Sequence, residues 1–247
     1  MNYLILLVSV VSTLFWSNVY STTWGESEVD DPIIKGKKCA VHEPASYGSY
    51  IYSWPSKYDQ TFWPHTDDQG IWYCSESGFI AFIGDFEEIS ESEIIKINAY
   101  LKGKAVDVSK VEEKLKHLEN IYSLREKNKH FNNHLVRTLA YLYERNNNQL
   151  IANRYRARAL EEIETDLLTD SNEYQKLTYL YVAANYSRQL GNYEKSDSYL
   201  ENLISAISSI QDKELEGFGE YLTELLSHTP YIEKGGNLMP TVPDKDA

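Results

Sequence analysis

Positive charge is scarce in this sequence. Its 247 residues include 24 Lys and Arg against 37 Asp and Glu, which gives a formal net charge of −13 at pH 7. A surface this acidic repels the phosphate backbone. We therefore expect that the protein does not bind nucleic acid.

The sequence motifs of several large enzyme classes are also missing. The chain has no Gly-x-Ser-x-Gly elbow, no P-loop and no dinucleotide-binding fingerprint. We therefore nominate no catalytic residue and no cofactor, and the sequence favours a binding role over an enzymatic one.

Long apolar runs are missing after residue 21. Residues 1–21, MNYLILLVSVVSTLFWSNVYS, contain an apolar core without charged side chains and end in Val19-Tyr20-Ser21. This pattern is typical of a signal peptide cleaved before Thr22, with an uncleaved anchor as the alternative. The apolar run is interrupted by polar residues and is short for a membrane span of about 20 residues. We expect an exported protein, periplasmic or secreted, with no stable membrane insertion after signal removal.

Cysteine is limited to Cys39 and Cys74. Two cysteines in an exported protein most simply form one disulfide. Together with His42 they could also supply three of the four ligands of a structural zinc site. A disulfide, a zinc site and two free thiols all remain open from the residues.

The chain changes character near Phe86. Before it, aromatic residues, Gly and Pro are dense, and the runs at 70–74 and 78–84 predict short strands around a turn at 75–78. After it, apolar residues recur with helical spacing. We expect a mainly α fold with five regions: a signal peptide (1–21), a flexible N-terminal segment (22–37), a small β-rich module (38–88), a helical repeat domain (89–228) and a flexible tail (229–247).

Seven helical segments are predicted after residue 89. Ser90 and Glu93 have the spacing of a capping box at the start of the first, and Ser109 and Glu112 repeat that spacing before the second. Short joints between the segments predict an antiparallel array of helices.

Residues 179–204, YLYVAANYSRQLGNYEKSDSYLENLI, resemble a tetratricopeptide repeat. Leu190, Gly191 and Tyr193 match the joint between the two helices of that repeat, and Ala184 and Ser196 match its small positions. The resemblance implies a helical stack that presents a groove to a peptide or partner protein, and a compact α-bundle without a groove is the alternative. We expect such an open groove to be lined by Tyr179, Asn185 and Tyr186.

Taken together, the stretches CAVH, WPSKYDQTFWP, IWYCSESGFIAFIGDF and YSRQLGNYEKSDSYLENLI are similar to a bacterial family of unknown function. The similarity extends from Cys39 to Ile204. That family begins with paired Cys-x-x-Cys knuckles and continues into tetratricopeptide-like helices. Here His42 and Ser77 replace the second cysteine of each pair, so the family's metal site is not carried over intact.

A few charged residues are further candidates. Arg154 and Arg158 share a helix face and could hold an acidic peptide, although Arg158 could instead pair with Glu162 one turn later. His130 and His134 have the i, i+4 spacing of metal ligands, but two exposed histidines explain them better.

A loop group of His65, Asp67 and Asp68 could bind a cation or simply form a solvated turn.

These observations favour an exported protein-binding or assembly module that acts through a tetratricopeptide-like helical surface. The alternative is a metal-binding or catalytic N-terminal module. The expected partner is a protein or peptide.

Overall fold

The computed structural model describes residues 23–46, 55–169 and 172–242. The predicted signal peptide lies outside these residues. The described part is mainly helical, with seven α-helices and two small antiparallel sheets, which confirms the mainly α expectation. None of its helices has the length and apolar character needed to cross a membrane.

The two sheets are hairpins near the N-terminus. Strand β1 (Thr23–Asp30) pairs with β2 (Lys38–Ser46), and β3 (Ile71–Tyr73) pairs with β4 (Ile80–Phe82). The second hairpin confirms the strands predicted around residues 75–78. The first differs from the expected flexible segment at 22–37: Val29 lies opposite Cys39, and both are buried in the core.

The helices follow one another through short joints, as the apolar spacing predicts. They are α1 (Glu91–Leu101), α2 (Val111–Tyr122), α3 (Lys129–Arg145), α4 (Gln149–Asp166), α5 (Glu173–Gln189), α6 (Tyr193–Ser208) and α7 (Glu216–Leu226). Helix α3 packs extensively on α4, and α5 packs extensively on α6.

The predicted helix starts have different outcomes. Helix α1 begins with the predicted capping box, in which the Ser90 hydroxyl accepts from the Glu93 amide and the Glu93 carboxylate accepts from the Ser90 amide. The box predicted at Ser109 is wrong, because α2 has Lys110 as its N-cap and no side-chain cap. The Ser109 hydroxyl donates to Asp107 instead, at 2.5 Å.

The C-terminal segment also differs from prediction. Within the expected flexible tail at 229–247, Leu238 is only 1 % exposed and Ile232 is buried as well. The Gly235 amide donates to the Gln189 carbonyl at 2.7 Å, and the Gln189 side chain donates to the Gly236 carbonyl at 2.7 Å. The segment is therefore packed on the end of α5, because two of its apolar side chains, Ile232 and Leu238, gain burial there.

One hydrophobic core joins the hairpins to the helices. Phe79 and Phe82 of the second hairpin pack in the same cluster as Leu118, Ile121 and Leu139 from α2 and α3. A second cluster lies among α4, α5, α6 and α7 and includes Tyr58, from the stretch between the hairpins. That stretch is therefore built into the helical part of the molecule.

Candidate functional site

Residues Tyr58–Thr61 form a turn that is inserted among the helices, and we call it the inserted turn. Its first residue, Tyr58, is also the last residue of a 3₁₀-helix at Pro55–Tyr58. All four of its residues are at most 4 % exposed. A polar turn buried in this way must find partners for its backbone, since an unpaired buried polar group is costly.

Two helix side chains satisfy the carbonyl groups of the first three residues of the inserted turn. Arg137 on α3 donates through one nitrogen to the carbonyls of Asp59 and Gln60, at 2.6 and 2.9 Å. Asn185 on α5 donates to the carbonyl of Tyr58 at 3.1 Å. These contacts recognise main-chain atoms and do not depend on the side chains of the turn.

The carboxylate of Asp59 is recognised separately. Arg156 on α4 donates to both of its oxygens, at 3.1 and 3.2 Å, and the Tyr186 hydroxyl donates to one of them at 2.7 Å. Glu144 accepts from Arg156 on its other side at 2.6 Å. Burial alone would lower the pKa of Arg156, but the two carboxylates outweigh burial and raise it. The guanidinium therefore stays charged although it is fully buried.

We call this pocket, formed by Arg137, Arg156, Asn185 and Tyr186, the turn pocket. Arg156 lies between the two arginines that the sequence singled out. Arg158 pairs with Glu119 at 2.6 Å and with Glu162 at 3.3 Å, as the simpler explanation of that residue predicted, while Arg154 is exposed.

Sequence reasoning missed Arg156, yet the sequence carries a signal for it. Residues 152, 156, 159 and 163 have the spacing of a buried helix face, and the other three are Ala152, Ala159 and Ile163. An arginine on a buried apolar face needs a buried anionic partner, because an unpaired charge in the interior is costly.

The expected groove residues are all buried. Tyr179, Asn185 and Tyr186 have no measurable exposure, so they do not line an open groove. The inserted turn covers Asn185 and Tyr186, and the Tyr179 hydroxyl contacts His130 Nδ1 at 2.8 Å.

The structure brings two of the weaker histidine candidates together. His65 Nδ1 lies 3.2 Å from His134 Nε2. Burial lowers the pKa of His65, and burial together with the charge of Arg137 lowers that of His134. The Asp67 carboxylate accepts from the Gln69 amide at 2.9 Å, within its own turn.

The Sγ atoms of Cys39 and Cys74 lie 2.02 Å apart, at disulfide distance. The Asp31 carboxylate lies beside them, with the three ligand atoms within 4.8 Å of one another. His42, the third zinc candidate from the sequence, is exposed and is not part of this group.

An open cleft lies between the joint of α5 and α6 and the C-terminal segment 230–241, and we call it the joint cleft. Its volume is about 820 Å³. Tyr193, Tyr231 and Met239 are each about half exposed there, and the Arg188 guanidinium lies over the Tyr193 ring at 4.8 Å. The other lining residues are Pro230, Ile232, Glu233, Lys234, Asn237, Pro240 and Thr241.

The chain belongs to a family described as uncharacterized proteins conserved in bacteria, DUF2225, whose model matches residues 56–217. No curated protein and no solved structure matches the chain. The matched region contains the inserted turn and every residue of the turn pocket. It contains Cys74 but not Cys39.

Proposed function

We propose that the protein is an exported protein-binding or assembly module and that the joint cleft is its partner-binding surface. The exposed Tyr193, Tyr231 and Met239 beside Arg188 are the observation that carries this proposal. Tyr, Met and Arg are enriched at protein interfaces, where a few such side chains supply most of the binding energy. The partner is a protein or a peptide segment.

We also propose that α5 and α6 form a tetratricopeptide-like pair. Gly191, between them, has a positive φ of 87°, which suits the left-handed turn of such a joint. Ala184 and Ser196 are fully buried, as expected where two backbones approach closely. In this arrangement Tyr193 is positioned at the joint, at the edge of the cleft.

Comparative capture from the native envelope fraction tests the role of the cleft. The wild-type chain is compared with the double variant Tyr193→Ser/Tyr231→Ser, and Leu168→Ser is the matched control because Leu168 is 88 % exposed outside the cleft. A partner held by the wild type and by the control should be lost from the double variant. Affinity for the isolated partner should fall at least tenfold. Equal retention by all three chains would refute the proposal.

A metal-binding N-terminal module is the second candidate, favoured by the position of Asp31. In a reduced chain, the two cysteine thiolates and the Asp31 carboxylate would offer three ligands, which resembles zinc sites that keep one open position. Zinc content of the oxidised and reduced protein, measured after dialysis, tests it. A reduced chain without stoichiometric zinc would eliminate this candidate.

A further inference from the structure

We infer that the turn pocket is a binding site for an acidic turn of a partner protein, and that residues 58–61 are a tethered occupant that such a segment can replace. This inference rests on the proposed role in protein binding. It concerns a different surface from the joint cleft, so the two can be tested separately.

Contacts outside the inserted turn also hold the side chains of the pocket. Each of three recognising side chains has a second hydrogen-bond partner outside residues 58–61. These pairs are Arg156 with Glu144 at 2.6 Å, Arg137 with Asn133 at 3.1 Å, and Asn185 with the Thr229 hydroxyl at 2.7 Å. Side chains fixed in this way keep their orientation when an occupant leaves, and preorganisation favours binding of the next one.

The contacts define the class of ligand. Arg137 and Asn185 can donate hydrogen bonds to any segment whose carbonyl groups converge as in a turn. Arg156 and Tyr186, in contrast, are specific for a carboxylate. Two parallel N–H donors from an arginine match the geometry of a carboxylate closely. The ligand residue before the acidic one should be aromatic, because Tyr58 is buried at this position in the resident turn and its hydroxyl lies 2.9 Å from His228 Nδ1. The ligand is thus an aromatic–acidic pair in a tight turn.

The resident turn fits this pocket imperfectly. Gln60 has a φ of 49°, a left-handed conformation that is unfavourable for residues other than Gly and Asn. The hydroxyl of Thr61, which is fully buried, has no hydrogen-bond partner among the described residues. A segment with Gly at the position of Gln60 avoids the first cost but loses the hydrogen bond from the Gln60 side-chain amide to the Lys57 carbonyl.

A labelled peptide of residues 55–63, PSKYDQTFW, tests the inference by fluorescence anisotropy. The receptor is the full chain carrying Asp59→Asn, which weakens the resident turn and leaves the pocket unchanged. We expect binding to this chain and at least tenfold weaker binding to wild type, where the resident turn competes.

Two changes report on the carboxylate contact. Replacing the peptide's Asp by Asn should weaken binding at least tenfold, equivalent to about 1.4 kcal/mol. Adding Arg156→Gln to the receptor should have the same effect. Adding Arg154→Gln is the matched control, and it should leave affinity unchanged because Arg154 is exposed and outside the pocket.

The inference would be overturned if the peptide failed to bind the Asp59→Asn chain. It would also be overturned if replacing the peptide's Asp by Asn left the affinity unchanged. If circular dichroism shows that this variant does not fold, hydrogen exchange of the wild-type chain replaces it. Excess peptide should then displace the resident turn and accelerate amide exchange at residues 58–61. Unchanged exchange rates would refute the inference. None of these outcomes alters the capture test of the joint cleft, so failure here leaves that proposal standing.

Discussion

Replacing Arg156 by Met should destabilise the protein more than any other single change to a charged residue of the turn pocket. Arg156 is fully buried and pairs with Asp59 and Glu144. Methionine fills much of the same space but carries no charge, so Arg156→Met leaves two carboxylates without their cation. Arg137 is already held by other partners, since its Nη1 donates to the carbonyl groups of Asp59 and Gln60 and its Nε donates to Asn133.

The expected loss follows from this geometry. Removing one partner from a buried ion pair costs about 3 to 5 kcal/mol, since an uncompensated charge remains in the interior. For a chain of this size, each kcal/mol corresponds to roughly 2 to 4 °C in the melting temperature. Arg156→Met should therefore lower the melting temperature by about 6 to 20 °C.

Urea unfolding followed by tryptophan fluorescence measures the loss directly. Arg154→Met is the matched control: it makes the same substitution two residues earlier, at an exposed position. It should change the free energy of unfolding by no more than about 0.5 kcal/mol. A difference between the two variants below about 1 kcal/mol would refute the assignment of Arg156 as the charge centre of the pocket.

Three further predictions concern other parts of the molecule. Reducing the bond between Cys39 and Cys74 should lower the free energy of unfolding by about 4 kcal/mol, since it closes a loop of 35 residues. Burial lowers the pKa of His134, so the contribution of this group to stability should be full above pH 6.5 and should decrease as the pH falls below it. Gly191→Ala should cost about 1 to 2 kcal/mol, because alanine disfavours a φ of 87°, whereas Gly217→Ala in α7 should stabilise by up to about 1 kcal/mol.

Each of these has a contrary outcome. Identical urea midpoints with and without reductant would show that the disulfide does not stabilise the fold. The acid-induced loss should be smaller in His134→Gln than in the wild type, and equal losses would place its origin elsewhere. Gly191→Ala and Gly217→Ala should shift the melting temperature in opposite directions, and a shared sign would contradict the assigned backbone conformations.

Local features of the fold were predictable from the sequence because local chemistry determines them. The spacing of apolar residues predicts the helices, Ser90 and Glu93 specify the start of α1, and Gly191 permits the left-handed joint. The first hairpin and the packed C-terminal segment were missed. Their stability comes from distant burial, such as that of Leu238, which short-range patterns do not report.

The turn pocket could be predicted only in part. Asn185 and Tyr186 were nominated, but as residues of an open groove rather than as partners of the chain itself. Arg156 and Asp59 are 97 residues apart in sequence, so no local pattern pairs them. The apolar face around Arg156 predicts that a buried anion exists, and only the folded chain identifies which one.

The inserted turn also imposes an order on folding. Asp59 is synthesised 97 residues before Arg156 and 127 residues before Tyr186, so it must wait for most of the chain to be made. Contacts of such long sequence separation form slowly, because a large loop has to close before they stabilise anything. Until α5 has emerged, the N-terminal part carries an acidic turn without its pocket. The contacts of the inserted turn therefore cannot be completed until α5 has been made, and a chain truncated before α5 would lack the Asn185 and Tyr186 side of the turn pocket.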